Sequence, residues 1–206
     1  MPVKNRFAEL QAEITTWRRD LHENPEILFE THRTSALVEE KLKEFGCDEV
    51  VTGIGRTGVV GVIKGKSDTA GKVIGLRADM DALPIHEETG LDYASKTANA
   101  MHACGHDGHT AMLLGAAKYL SENRNFDGTV HLIFQPAEEG LGGARAMLAD
   151  KLFERFPCDE IYGMHNNPNG KPNEVGVKPG EAMAGADFFD IHIRAFGSHA
   201  ATPMEA

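Results

Sequence analysis

One short segment constrains the fold more than any other. Residues 129–134, with the sequence TVHLIF, form an apolar run that has no polar face except His131. A run of this length is typical of a strand, and a strand without a polar face is usually covered on both sides. The sequence therefore predicts a strand that is buried on both sides.

Helical and strand-like segments alternate around this run. Helical spacing and stop signals predict helices over residues 6–23, 31–45, 107–121 and 142–151. Short β-rich runs predict strands over residues 50–51, 57–63, 72–77 and 160–165. Asp107 is a candidate N-cap for the third helix. This alternation predicts an α/β fold with a largely parallel sheet flanked by helices. Residues 187–196 alternate between polar and apolar side chains, which predicts one further, antiparallel strand.

The composition argues against several classes of protein. Lys and Arg total 21 against 31 Asp and Glu, so the formal net charge is −10. A nucleic-acid-binding surface needs clustered cations, so no nucleic-acid partner is expected. No stretch approaches the roughly 20 apolar residues that span a membrane, and the N-terminus has no apolar signal core. Three cysteines are few and odd in number for a disulfide framework, which favours the cytoplasm.

Polar blocks follow the predicted strands, at the positions where open α/β sheets place their sites. RADMDALP at residues 77–84 follows one strand, QPAEEG at residues 135–140 follows the buried one, and His165 ends the last. A solvated turn explains the first block equally well. In the second block, Glu138 and Glu139 are adjacent, so one can ligate a metal while the other takes a proton from water. Most such pairs are solvated, and only the position after a strand favours this one.

The densest cluster of metal-binding residue types is MHACGHDGH, at residues 101–109. Thiolate and imidazole suit zinc and neighbouring transition ions, and Cys104 and His106 can converge from one loop. A helix-capping loop with incidental histidines is the alternative. A redox role for Cys104 is disfavoured, because the chain has no Cys-x-x-Cys pair. With the polar groups at the strand ends, the cluster predicts a hydrolytic site for two metal ions.

Four motifs together resemble a known family. The blocks RADMDALP, HACGHDGHTAMLLGAA, QPAEEG and GMHN stand in this order along the chain. They are similar to the signature of the aminoacylase, hippurate hydrolase and auxin-conjugate hydrolase branch of the zinc carboxypeptidase-like peptidases. The resemblance implies a metal-binding catalytic domain at residues 1–185, without its C-terminal part. It also implies that residues 186–206 begin an α+β lid domain with its first strand, through which the longer proteins form homodimers.

The resemblance also assigns roles to individual residues. The positions that match the family's metal ligands are Cys104, His106, Glu139 and His165. Glu138 matches the general base, and Asp81 matches the acid that orients a ligating side chain. His199, in the block at residues 197–203, matches a histidine that steadies the tetrahedral oxyanion, often in the partner's active site.

The chain departs from the family pattern at two positions. Asp79 stands where wider relatives have a histidine ligand, and the cysteine-containing branch shares this departure, so the role of Asp79 stays open. Met204 follows Pro203, where the family usually has a histidine. The residues also leave open whether His102 and His109 line the site or have a structural role.

The function that the resemblance implies is hydrolysis of the amide bond of N-acyl amino acids, of the hippurate or N-acetyl type, by metal-activated water. Two divalent ions are implied, and the ligand set fits zinc, manganese, cobalt or nickel. A di- or aminopeptidase of the same superfamily is an alternative, as is a catalytically inactive metal-binding fragment. Since the family's proteins are longer, we expect this chain by itself to bind at most one metal tightly and to have little activity.

Overall fold

The structure, a computed structural model, describes residues 2–171, 174–185, 187, 189–194, 196–202 and 204. The chain divides into two compact units, Met1–Asn166 and Asn167–Ala206. The helices and strands named below all lie in the first unit. The sequence-based boundary between residues 185 and 186 stays a prediction.

Helices and strands alternate along the first unit. The helices are α1 (Pro2–Glu23), α2 (His32–Glu44), α3 (His106–Glu122), α4 (Gly143–Ala149) and α5 (Leu152–Arg155). The strands are β1 (Glu49–Ile54), β2 (Gly58–Lys64), β3 (Val73–Asp79), β4 (Thr129–Gln135) and β5 (Glu160–Gly163). The helix predicted over residues 142–151 is found as α4, which ends at Ala149, and Lys151, with a positive φ of 61°, separates it from α5. No helix in the described part of the chain combines the length and apolar character needed to cross a membrane.

The strands form one mixed sheet in the order β1-β2-β4-β3-β5. β3 pairs in parallel with β4 and with β5, whereas β1–β2 and β2–β4 are antiparallel. The α/β class is therefore confirmed, but the sheet is not largely parallel. Residues 55–57 alone connect β1 to β2, and a parallel pair needs a crossover of a dozen or more residues. Such a short connection permits only an antiparallel hairpin.

Helices cover both faces of this sheet. On one face, Leu132 and Phe134 of β4 pack in a cluster with buried residues of α1, α2 and α3. On the other face, Ile133 packs in a cluster with Met147 of α4, Leu152 of α5 and Phe156, which follows α5. The predicted burial of the run 129–134 on both sides is confirmed, and β4 is the middle strand of the sheet.

The parallel strands determine where the polar blocks meet. β4, β3 and β5 are neighbours and run in the same direction, so their carboxyl ends lie at one edge of the sheet. The N-terminus of α3 is the other element that carries a polar block. It begins at His106, with Gly105 in the left-handed region (φ 95°) as its N-cap. Asp107 is therefore inside the helix and is not the N-cap that the sequence indicated.

The second unit includes the segment in which the last strand was predicted. Residues 187, 189–194 and 196 are described and do not belong to a strand, so the prediction is wrong for them; Phe188 and Ala195 lie outside the described residues. A strand is stable only beside others that take up its backbone hydrogen bonds. The described residues of this unit provide no such strand. That residues 186–206 begin a lid domain stays a prediction.

Candidate metal centre

Loops at the carboxyl edge of the sheet bring the predicted ligands together. Cys104 Sγ lies 3.3 Å from His165 Nε2, and ligand atoms of these two residues and His106 lie within 4.8 Å of one another. Ligand atoms of His106, Glu138 and Glu139 also lie within 4.8 Å of one another. His106 belongs to both groups, so the four predicted ligands and the predicted base form one continuous cluster.

Unpaired polar atoms at the centre of this cluster fit a metal. His106 is buried, and neither of its ring nitrogens has a hydrogen-bond partner among the described residues. Glu139 Oε1 is likewise buried and without a partner in that part of the chain. Buried polar atoms are normally paired, and each exception requires an explanation. Thiolate, imidazole and carboxylate groups are donors that suit zinc and similar divalent ions, so the residues fit such ions.

The electrostatics of the cluster also favour a cation. His106 Nε2 lies 3.7 Å from Asp79 Oδ2 and 3.9 Å from Glu138 Oε2, while His106 Nδ1 lies 3.5 Å from Asp81 Oδ1. Burial lowers the pKa of His106, but the neighbouring carboxyl groups outweigh burial and raise the pKa above its usual value. Several carboxylates around one imidazole repel one another, and a divalent ion would offset this repulsion.

The thiol of Cys104 responds to the same negative field. Burial, together with the neighbouring Glu139 and Glu138, raises the pKa of Cys104 to about 12. Without an ion the thiol is therefore protonated at neutral pH, whereas a thiolate is the form that binds metal. Binding of a metal to Cys104 is thus coupled to release of a proton.

Asp81 connects three parts of the cluster. Its carboxylate accepts hydrogen bonds from the backbone N–H of Glu138, at 2.9 Å, and of Glu139, at 3.2 Å. The same carboxylate faces the Nδ1 side of His106. It therefore joins the loop after β3 to the loop after β4 and to the first residue of α3. This is the geometry that an acid orienting a ligand requires.

Asp79 and His109, which the sequence left open, contact each other. His109 Nδ1 lies 2.6 Å from Asp79 Oδ1, while His109 Nε2 lies 2.6 Å from Asn166 Oδ1 and 3.0 Å from the backbone nitrogen of Asn166. Arg77 Nη1 donates to the other carboxylate oxygen of Asp79 at 2.7 Å. Burial raises the pKa of Asp79, but the hydrogen bond from His109 and the charge of Arg77 lower it to about 2. Both oxygens of Asp79 are engaged, an arrangement that suits holding His109 more than ligating an ion.

Asn166 is a site residue that sequence reasoning missed. A Cβ on Gly105 would lie 2.5 Å from Asn166 Oδ1, so the amide occupies the space that a side chain at position 105 would fill. This contact and the hydrogen bond to His109 hold Asn166, the residue after His165, over the loop that carries Cys104. Its signal in the sequence was only its position directly after a predicted ligand.

His102 lies under the same loop and is buried and neutral. Neither ring nitrogen has a hydrogen-bond partner among the described residues, and the residue is 4% exposed. Burial lowers the pKa of His102 from 6.5 to about 4. Between these two pH values, the unfolded chain binds a proton at His102 and the folded chain does not. The contribution of His102 to the free energy of unfolding is therefore fully present above pH 6.5 and is lost as the pH is lowered.

We expect His102→Gln to weaken this acid sensitivity of the metal-free protein. Between pH 6.5 and 5, the wild-type free energy of unfolding should fall by about 2 kcal/mol more than that of the variant. Urea unfolding at a series of pH values measures this difference. His102→Phe, which keeps a ring but cannot titrate, should behave like the glutamine variant. An identical pH dependence in all three proteins would contradict the assignment.

His199 lies in the second unit, within a turn. Ala201 N–H donates to His199 Nδ1 at 3.1 Å, and Thr202 N–H donates to the His199 carbonyl at 2.8 Å. A neutral imidazole that accepts at Nδ1 carries its proton on Nε2 and can donate from there. Pro203, the last residue of the predicted block, lies outside the described residues.

Known proteins share the sequence and the fold. Residues 75–205 match Peptidase family M20/M25/M40. A hippurate hydrolase of Campylobacter jejuni is 54% identical over 199 residues, which are 96% of this chain and 51% of that protein. An N-acetyl-L-cysteine deacetylase of Bacillus subtilis is 45% identical over 198 residues, covering 96% of this chain and 46% of that protein. This chain thus spans about half the length of these relatives.

A solved structure extends the likeness to three dimensions. A dinuclear metal binding peptidase of the M20 family from Bacillus subtilis superimposes with a TM-score of 0.73 at 43% sequence identity. The match covers 79% of this chain and 44% of that protein. The five-stranded sheet and its flanking helices are therefore an arrangement already seen in a protein described as binding two metals.

Proposed function

Because the chain belongs to peptidase family M20/M25/M40, as its four motifs indicated, we propose that the protein carrying it hydrolyses the amide bond of small N-acyl amino acids at a two-metal centre. The observation that carries this proposal is the convergence of the ligand set on His106, with Glu138 beside it. Relatives named hippurate hydrolase and N-acetyl-L-cysteine deacetylase support the substrate class. The dinuclear neighbour supports two ions, for which we propose zinc, manganese, cobalt or nickel.

The ligands form two groups that share His106. Cys104 and His165 would hold an ion together with His106, and Glu139 would hold a second ion. Asp81 is the residue that orients His106 and the backbone of the two glutamates. When bound, the ions polarise the substrate carbonyl and make water a stronger nucleophile at neutral pH.

Glu138 is the proposed general base. Its side chain is 39% exposed, against 18% for Glu139, so its carboxylate can reach a water and a substrate while its neighbour faces inward. Glu138 takes a proton from the attacking water as the carbon–oxygen bond forms. It then returns this proton to the leaving nitrogen as the carbon–nitrogen bond breaks, which yields a carboxylic acid and a free amino acid.

His199 is proposed to donate from Nε2 to the oxyanion that develops on the substrate carbonyl. The hydrogen bond from Ala201 to Nδ1 supports this role, since it keeps the proton on the other nitrogen. We also propose that the whole protein forms a homodimer through its lid domain. In this homodimer His199 can serve the active site of the second copy, whereas in a monomer it serves its own. The cytoplasm is the proposed compartment, in keeping with the three free cysteines.

Substrate preference separates this function from its alternatives. We expect the metal-loaded protein that carries this chain to release benzoate or acetate from hippurate and N-acetyl amino acids. Free dipeptides should be cleaved at least about tenfold more slowly in kcat/KM, one factor of ten being about 1.4 kcal/mol in transition-state binding. Detection of the freed amino group measures both reactions.

A reversed order of the two rates would overturn the acyl amino acid assignment in favour of a di- or aminopeptidase. No turnover of either class, by protein shown to hold its metals, would favour a metal-binding protein without catalysis. The comparison should be made with each of the four proposed ions, because the same ligand set accepts all of them.

A further inference from the structure

A buried group of charged side chains lies behind the metal centre and takes no part in the proposed chemistry. His22, near the end of α1, is 3% exposed, and its two ring nitrogens face different carboxylates. Nδ1 lies 2.8 Å from Asp107 Oδ2, and Nε2 lies 3.2 Å from Glu87 Oε1. Glu87 follows Asp81 in the chain and Asp107 follows His106, so each contact reaches a segment that carries a site residue.

We propose that His22 is a positioning residue that clamps the two ends of one long segment together. This segment, residues 80–105, joins β3 to α3 and is called the metal loop below; it carries Asp81 near its start and Cys104 near its end. Glu87 belongs to the loop, and Asp107 lies just beyond its end. The inference rests on the proposed metal centre, since the purpose of the clamp is to hold its ligands in place.

The metal loop depends on its surroundings for its conformation. Residues 80–105 contain no helix or strand, only isolated bridges such as that between Leu83 and Met101. The loop instead rests on the end of α1 and the turn after it. Ala82 N–H donates to the carbonyl of Glu26, and Lys96 N–H to that of Glu23, both at 2.8 Å. Ordered loops of this length are uncommon and usually functional, so anchors of this kind are expected.

Charge balance explains why a histidine stands at this position. Asp107 is 1% exposed and the side chain of Glu87 is 2% exposed, and a buried carboxylate needs a partner of opposite charge. Arg18 Nε donates to Asp107 Oδ2 at 2.8 Å. The hydrogen bond to Asp107, and then that to Glu87, raise the pKa of His22 above its usual value. An imidazolium donates from both nitrogens, so one ring can bridge two carboxylates.

The other neighbours of His22 enclose the ring. Tyr93, also in the metal loop, meets it edge-on with ring centroids 5.6 Å apart, and Arg18 lies over the same tyrosine at 5.5 Å. The neutral ring of His102 lies 6.5 Å away. Three residues of the metal loop, Glu87, Tyr93 and His102, therefore surround one side chain of α1. Thr89 Oγ1 and the backbone N–H of Ser95 also donate to Glu87, so a neutral side chain in place of His22 would remove the bond that ties this carboxylate to α1 and not all of its partners.

Hydrogen exchange of the metal-free 206-residue chain tests the clamp directly. In His22→Gln we expect amides of the metal loop to exchange at least about tenfold faster than in the wild type, at both ends of the loop. Glu87→Gln cuts one arm only, so it should loosen the first half of the loop and leave residues 101–105 nearly unchanged. Unchanged exchange in the loop of His22→Gln would overturn the proposal.

A matched control distinguishes clamping of the loop from general support of α1. Lys118 Nζ lies 2.6 Å from Glu13 Oε2, an ion pair that joins α3 to α1 away from the metal loop. Lys118→Gln should therefore leave exchange in the loop within twofold of the wild type. If it loosened the loop as much as His22→Gln does, His22 would be a general helix contact and the proposal would fail.

Cobalt binding connects the clamp to the metal centre. The thiolate-to-cobalt charge-transfer band reports on Cys104, and we expect His22→Gln to bind cobalt about tenfold more weakly, with Lys118→Gln like the wild type. Equal affinity in wild type and His22→Gln would overturn the proposed effect on the ligands. Absence of binding in the wild type would instead contradict the proposed metal centre, and the exchange experiment would still decide whether His22 clamps the loop.

Discussion

In the metal-loaded protein that carries this chain, Glu138→Gln is expected to lower kcat for N-acyl amino acid hydrolysis about a thousandfold, within the range of general acid–base catalysis. The amide of glutamine cannot take a proton from water, while its size and its backbone hydrogen bond to Asp81 are kept. Metal content should stay at the wild-type level, because Glu139 supplies the proposed ligand. The variant and the wild type are compared by initial rates on hippurate and by metal analysis of the same samples.

The control for this variant is Glu154→Gln on α5, an exposed carboxylate outside the cluster, which should keep wild-type kcat. A Glu138→Gln protein that retains activity within tenfold would mean that another group moves the proton. Loss of metal from this variant would mean that Glu138 is itself a ligand, and the roles of the two glutamates would have to be exchanged.

Cys104→Ala is expected to weaken metal binding at least about a hundredfold. Removing a residue that only hydrogen-bonds to a ligand costs about tenfold to a hundredfold in metal affinity, and removing a ligand itself should cost more. The thiol lies 3.3 Å from His165 Nε2 and belongs with it to a three-residue ligand group. Chelator competition measures the dissociation constant, and circular dichroism checks that the variant is folded. The pH dependence of binding should also weaken, because the proton released from this thiol is lost.

Cys158→Ala is the matched control. Cys158 also has a histidine neighbour, since its Sγ lies 3.5 Å from His131 Nδ1, but it is outside the ligand groups of the described residues. Its removal should leave metal affinity unchanged. Equal losses in both cysteine variants would indicate a general effect of destabilisation, and no loss in Cys104→Ala would remove Cys104 from the ligand set.

The location of the site could be predicted because its signals are local. Polar blocks directly after apolar runs indicated the carboxyl edge of a sheet, and the cluster around Cys104 and His106 indicated metal by residue type. The structure brings these blocks together because the strands before Asp81, Glu138 and His165 are parallel neighbours.

The remaining features depend on contacts between distant residues. The antiparallel direction of β1 and β2 follows from their short connection. An apolar strand such as β2 shows no preference for parallel or antiparallel neighbours in its own sequence, so its antiparallel pairing with β4 was not foreseen. His22 and Asp107 are 85 positions apart, and neither has a pattern that indicates the other. The apolar alternation of residues 187–196 indicated a strand, although a strand also needs a partner that local sequence does not reveal.

The parallel pairing of β3 with β5 also sets when the ligands can meet during synthesis. Residues 74–77 pair with residues 160–163, so a chain still growing on the ribosome holds Cys104 and His106 long before β5 and His165 have emerged. Pairings this distant in sequence form late, because loop closure must come first. The metal centre is therefore completed only after the sheet closes at β5, and an ion that binds earlier would meet a partial ligand set rather than a nucleus for folding.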